Sequence, residues 1–192
     1  MKKLLLGALI AATVLPAAAA LKEGDAAPDF KAQASLAGKA FAYSLKDALK
    51  KGPVVVYFYP SAYTNGCNLQ AHTFSENIGK FAAAGASVVG VSLDSIGRLN
   101  EFSADPEFCA GKLAVASDAD GRIARAYDLS VREGSGSSKD TRGQAIDHGF
   151  AERTTFVIRP DGRIAATVSG LAPVANVEKA LDAVRTLAGQ RP

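Results

Sequence analysis

A continuous run of β-branched and aromatic side chains, Val54-Val55-Val56-Tyr57-Phe58-Tyr59, constrains the fold more than any other part of the chain. It has no polar alternation, so both faces of the strand it forms must be covered, as in the centre of an α/β sheet. Pro60 ends the run, because its ring offers no N–H to a neighbouring strand. Ser61 to Gly66 is loop chemistry, and from about Thr64 the positions Leu69, Thr73, Phe74, Ile78 and Phe81 recur at helical spacing. Cys67 therefore falls in the first turn of a helix. Unpaired N–H groups and the positive end of the helix dipole favour an anion there, so this thiol is expected to ionise more readily than a free one.

The rest of the chain repeats the strand-to-helix rhythm. Residues 41–45 read as a short strand and 46–51 as a short helix or turn closed by Gly52. A second β-branched run at 86–93 leads into a helical pattern from Ser95 to about Phe108, and strand, helix and strand in succession imply a parallel crossover. A third strand is expected at 112–116 and a short helix at 121–127. Residues 130–149, rich in glycine, serine and charge, read as a mobile loop or edge insertion. Strands at 154–158 and 163–169 flank the hairpin turn Pro160-Asp161-Gly162, and an amphipathic helix over 174–187 closes the chain.

At 192 residues the chain suits one α/β domain with a sizeable core, and its 48% hydrophobic and 21% charged composition excludes wholesale disorder. The formal charge of +3 includes Lys2 and Lys3, and the remaining basic residues are scattered without an aromatic-interleaved stripe, which argues against a nucleic-acid partner. Residues 1–20 have the form of an export signal: a basic start, an apolar stretch from Leu4 to Leu15, then Pro16 and four alanines. The apolar stretch is shorter than the roughly 20 residues that span a bilayer, and no cysteine suited to lipidation stands near the junction. The expectation is cleavage after Ala20, a mature domain over 21–192 with no membrane segment, and a periplasmic location if the source is a Gram-negative bacterium.

The segment Pro60-x-x-x-Thr64-x-x-Cys67 matches the active-site motif of the peroxiredoxins. Further matches are the opening Gly24 to Phe30, Ser92-Leu93-Asp94-Ser95, Ser117 to Gly121 and Arg153-Thr154-Thr155-Phe156-Val157-Ile158. From about Pro28 onward the chain resembles this family, and is similar to its bacterioferritin-comigratory or Q-type subgroup. The resemblance implies a thioredoxin-like α/β fold, with a central mixed sheet flanked by helices. It also implies a thiol-dependent peroxidase that reduces hydrogen peroxide and organic hydroperoxides without cofactor or metal. Cys67 would be the peroxidatic nucleophile, passing through a sulfenic acid. Thr64 would donate its hydroxyl toward the peroxide, Pro60 would shield the thiolate from water, and Arg153 would stabilise both the thiolate and the transition state.

Gln70 stands where the family often carries glutamate or glutamine, which suggests support for that site. His72 occupies a position that is the resolving cysteine in many members of the subgroup, and reads chiefly as a solvated or capped helix histidine. His148 reads as a loop histidine. Cys109, the only other cysteine, is expected near the end of the helix before the third strand, a segment some members use for resolution. It is the candidate resolving residue, with a structural disulfide or an inert buried thiol as alternatives. The resemblance further implies a thiol reductant such as a thioredoxin-like protein, and a monomer or homodimer. Two other readings share the fold. A disulfide oxidoreductase would lack its usual C-x-x-C, since Thr64 stands three before Cys67. A copper-binding protein would draw on Cys67, His72, Cys109 or His148.

Overall fold

The structure, a computed structural model, describes residues 20–190. The expected export signal lies outside them except for Ala20. The central run forms β3 (Val54–Phe58), in which all five residues are buried. β3 pairs in parallel with β4 (Ser87–Ser92), and β4 in parallel with β5 (Ala114–Ser117). On the other side β3 pairs antiparallel with β8 (Thr154–Ile158), and β8 with β9 (Ile164–Ser169). With β1 (Lys31–Leu36) and β2 (Lys39–Ser44) the order is β2-β1-β5-β4-β3-β8-β9, a mixed seven-stranded sheet.

Helices cover both faces, which is why the central strand is apolar throughout. Val55 and Tyr57 face one core with side chains of α2 (Asn65–Ala83), α3 (Ile96–Ala104) and α5 (Pro173–Gly189). Val54, Val56 and Phe58 face the other, with side chains of α1 (Leu45–Leu49) and α4 (Arg122–Ala126). Burying such side chains contributes roughly 1.5–3 kcal/mol apiece. Tyr57 lies opposite Gly90 in the β3/β4 register, and a Cβ at Gly90 would come within 2.6 Å of the tyrosine ring and hydroxyl. Glycine at that position lets the ring lie flat across the neighbouring strand.

Three elements depart from the sequence reading. β1 is absent from it, because Lys31–Leu36 pairs small and polar residues and buries only Ala34 and Ser35. The helix expected to reach about Phe108 stops at Ala104, since Asp105 precedes Pro106 and adopts an extended ψ of 120°. Residues 130–149, expected to be a mobile loop or an edge insertion, contain the short strand β6 (Val131–Arg132), which pairs with β7 (Phe150–Ala151) in a separate two-stranded sheet, and they bury Asp140 and Ile146.

Candidate active site

The chain leaves β3 through Tyr59 and the half-buried Pro60 and enters α2 with Thr64 as its extended N-cap residue. The Thr64 carbonyl accepts from the N–H groups of Cys67 (2.9 Å) and Asn68 (2.8 Å), so Cys67 sits in the first turn as expected. Its side chain is buried. The β3/β8 register places Thr154 opposite Phe58, which brings Arg153, the preceding residue, beside the loop that follows β3. The Arg153 guanidinium spans two acceptors there: Nη2 donates to Cys67 Sγ at 3.3 Å and Nη1 to Gln70 Oε1. Space for it comes from Gly66, where a Cβ would stand 3.2 Å from Arg153 Nη2 and 3.6 Å from Pro173 Cγ.

Cys67, Arg153 and Gln70 are thus brought together by α2 and the start of β8. Thr64 is adjacent, but its hydroxyl donates to the Ser61 carbonyl at 2.9 Å and does not cap the helix. To donate to a peroxide it must release that carbonyl.

What sequence reasoning missed is the clamp on the loop before Thr64. The buried Asp94 carboxylate accepts from Ala62 N–H (2.8 Å), Ser61 Oγ (3.0 Å) and Ser92 Oγ (2.7 Å), and pairs with Arg98 Nε at 2.8 Å. Arg98 also donates to the Ala62 carbonyl, so both backbone groups of Ala62 are held. Tyr63 follows with a φ of +59°, a left-handed conformation that is costly for an aromatic residue. It is fixed by two bonds from Thr141 to its carbonyl and by the Arg142 guanidinium lying 3.4 Å from its ring centroid.

His148, read from sequence as an ordinary loop histidine, belongs to this clamp. Nε2 contacts Asp94 Oδ1 at 2.9 Å and Nδ1 contacts the Gly149 carbonyl at 2.7 Å. Both partners are acceptors only, so the arrangement favours the doubly protonated, cationic ring. Burial works against that charge, but the Asp94 carboxylate and the Gly149 carbonyl raise the His148 pKa above its ordinary value, while Asp94, despite its own burial, is held below the carboxylate range by His148 and the loop donors. A histidine with a raised folded pKa contributes stability below its unfolded value and loses it as pH rises through the folded one. An aspartate with a lowered pKa contributes above its unfolded value. The pair is therefore at full strength between about pH 4 and about pH 6.5. Wild type should exceed His148→Gln in melting temperature most within that window, with the difference shrinking toward alkaline pH. Thermal scans showing a constant difference from acid to alkali would remove the ionic account.

Cys109 is placed otherwise than expected. It lies beyond α3 in a turn segment over 105–112, with Ala110 at φ +52° and Gly111 at φ +66°. Its side chain is 0% exposed, and burial, reinforced by the Asp105 carboxylate, pushes the thiol well above an ordinary cysteine. Both cysteines are free thiols. His72 is exposed on α2 with Nδ1 2.9 Å from the Glu107 carbonyl, which ties α2 to the cysteine-bearing turn. Among the described residues no three His, Cys, Asp or Glu side chains gather as a metal-ligand set. Of the four residues of the copper reading, Cys67 contacts Arg153, His72 the Glu107 carbonyl and His148 the Asp94 carboxylate.

The AhpC/TSA family profile matches residues 23–167. The peroxiredoxin Bcp of Xanthomonas campestris is 32% identical over 111 residues, which make up 58% of this chain and 62% of that protein's length. The crystal structure of peroxidoxin BcpB from Mycobacterium tuberculosis superposes with a TM-score of 0.72 at 30% identity, covering 87% of this chain and 98% of that one. A structure of the Xanthomonas campestris bacterioferritin comigratory protein, described for its alkyl peroxide reduction activity, gives a TM-score of 0.64 at 28% identity over 81% of this chain and 91% of that one.

Proposed function

Because the chain belongs to the AhpC/TSA family of peroxiredoxins, a thioredoxin-like family of thiol-dependent peroxidases, we propose that it reduces hydroperoxides, alkyl hydroperoxides included, at Cys67 and resolves the product with Cys109. The observation that carries this reading is the Arg153 donor 3.3 Å from Cys67 Sγ at the start of α2. The thiolate attacks one peroxide oxygen along the O–O axis. The S–O bond forms as the O–O bond breaks, the leaving oxygen takes up a proton, and Cys67 becomes a sulfenic acid with release of water or an alcohol. The Arg153 guanidinium faces the side where negative charge moves from sulfur onto oxygen. Thr64 supplies a second donor once its hydroxyl turns from the Ser61 carbonyl, and Pro60 stands where the loop leaves the strand.

In the second step the Cys109 thiol displaces hydroxide from the sulfenic sulfur, giving a Cys67–Cys109 disulfide and water. A dithiol reductant, such as a thioredoxin-like protein, then returns both cysteines to thiols. A disulfide needs its Cα atoms within about 7 Å, and Cys109 is fully buried in its turn. Both cysteines are buried in one core, so a rearrangement that joins them would move segment 105–112 or the first turn of α2. The left-handed Ala110, a costly conformation for a residue with a Cβ, favours the former.

Peptide mapping without reductant, after one equivalent of peroxide, should recover a Cys67–Cys109 disulfide within one chain. Recovery of Cys67 sulfinic acid with Cys109 still free would assign resolution to an external thiol.

A further inference from the structure

Behind Gln70 the hydrogen bonds continue to a residue far away in sequence. Gln70 Nε2 donates to Asn176 Oδ1 at 3.0 Å, Thr155 Oγ1 donates to the same oxygen at 2.6 Å, and Asn176 Nδ2 donates to the Val168 carbonyl at 3.1 Å. Asn176 lies one turn into α5, and Thr155 and Val168 are paired across β8 and β9. Gln70, Thr155 and Asn176 are all 0% exposed, so solvent cannot substitute for a missing partner.

We propose that Asn176 is the positioning residue that sets the Arg153 guanidinium on Cys67, acting through Gln70. The reason is the direction of the two amides. A backbone carbonyl only accepts, so the Val168 carbonyl compels the NH2 end of Asn176 to face β9 and leaves the oxygen toward Gln70. That oxygen compels Gln70 to present its own NH2 group to Asn176 and its oxygen to Arg153. Arginine only donates, so this is the one sense of the Gln70 amide that draws the guanidinium in. The reverse sense would set NH2 against guanidinium. A fixed point in the sheet thus determines the polarity of the group that orients Arg153, and among the described residues Gln70 bonds only the Asn176 and Arg153 side chains and Arg153 only those of Gln70 and Cys67. Without Asn176 the Gln70 amide is free to turn, and Nη2 loses its fixed distance from the sulfur. An asparagine buried inside a helix is otherwise unfavourable, both in propensity and in desolvation.

The proposal rests on Cys67 and Arg153 acting as described above, and its test separates the two. The rate of sulfenic acid formation is measured by stopped flow with hydrogen peroxide and cumene hydroperoxide on reduced protein, at an alkaline pH where the thiolate is fully formed. Asn176→Ala, and Asn176→Leu, which fills the volume if the alanine cavity proves too costly, should each lower the rate constant about tenfold, the value of one misaligned charge-assisted hydrogen bond. Combined with Gln70→Ala, neither should lower it further than Gln70→Ala does alone, because Asn176 acts through Gln70. A merely structural role predicts the other pattern: lower melting temperature, rate constants within twofold of the parent in folded protein, and losses that multiply in the double variants. That pattern would overturn the role of Asn176 and leave the site intact. Turnover surviving Cys67→Ser would instead remove the site itself.

Discussion

Replacing Cys67 by serine is expected to abolish peroxide consumption, with a loss of at least about a thousandfold, as for other nucleophile deletions. Cys109→Ser should still reduce one peroxide per chain before it stalls. The two thiols are not interchangeable. Cys67 has the Arg153 guanidinium 3.3 Å from its sulfur and a place in the first turn of α2. Cys109 has no cation bonded to it among the described residues, feels the Asp105 carboxylate, and lies fully buried with its thiol held well above the ordinary range. A serine hydroxyl at 67 keeps the packing but is protonated at any working pH, and it cannot become a sulfenic acid. Loss of activity should accordingly come without loss of fold, measured as peroxide consumption alongside thermal unfolding. Steady turnover by Cys67→Ser would show that the chemistry lies elsewhere.

How much of this was legible in the sequence depends on whether a residue's role is local. The β3 run, the break at Pro60 and the helical spacing after Thr64 are local signals, and they placed Cys67 in its first turn. Arg153 lies 86 residues beyond Cys67 in the chain, and only the family motif pointed to it; the β3/β8 register explains why that strand start is near the sulfur. The Asp94, Arg98 and His148 clamp was not legible, because the loop partners of Asp94 lie 32 to 54 residues away and each residue alone resembles a surface polar group. The Ser92-Leu93-Asp94-Ser95 match marked the place without its reason. Asn176 gave only a faint signal, a polar residue on the apolar stripe of an amphipathic helix. The end of α3 could have been read, since Asp105-Pro106 disfavours helix at Asp105, but the apolar spacing through Phe108 masked it.

Arg153→Ala should slow peroxide reduction by roughly a hundredfold or more, since removing one preorganised donor to a developing charge costs about 3 kcal/mol. Arg153 is suited to both stages of the reaction. Nη2 donates to the sulfur, and in the proposed reaction negative charge moves from that sulfur toward oxygen as the S–O bond forms beside the same planar group. The guanidinium is held by a two-point attachment, to Cys67 and to Gln70. Lysine has one ammonium on a flexible stem and cannot reproduce that fork, so Arg153→Lys should recover only a fraction of the loss even though it keeps the charge. The distinguishing measurement is the second-order rate constant as a function of pH. A donor that acts on the transition state leaves a deficit that persists at alkaline pH, where the thiolate is fully formed in wild type and variant alike. A deficit that disappears there would confine Arg153 to promoting ionisation of Cys67.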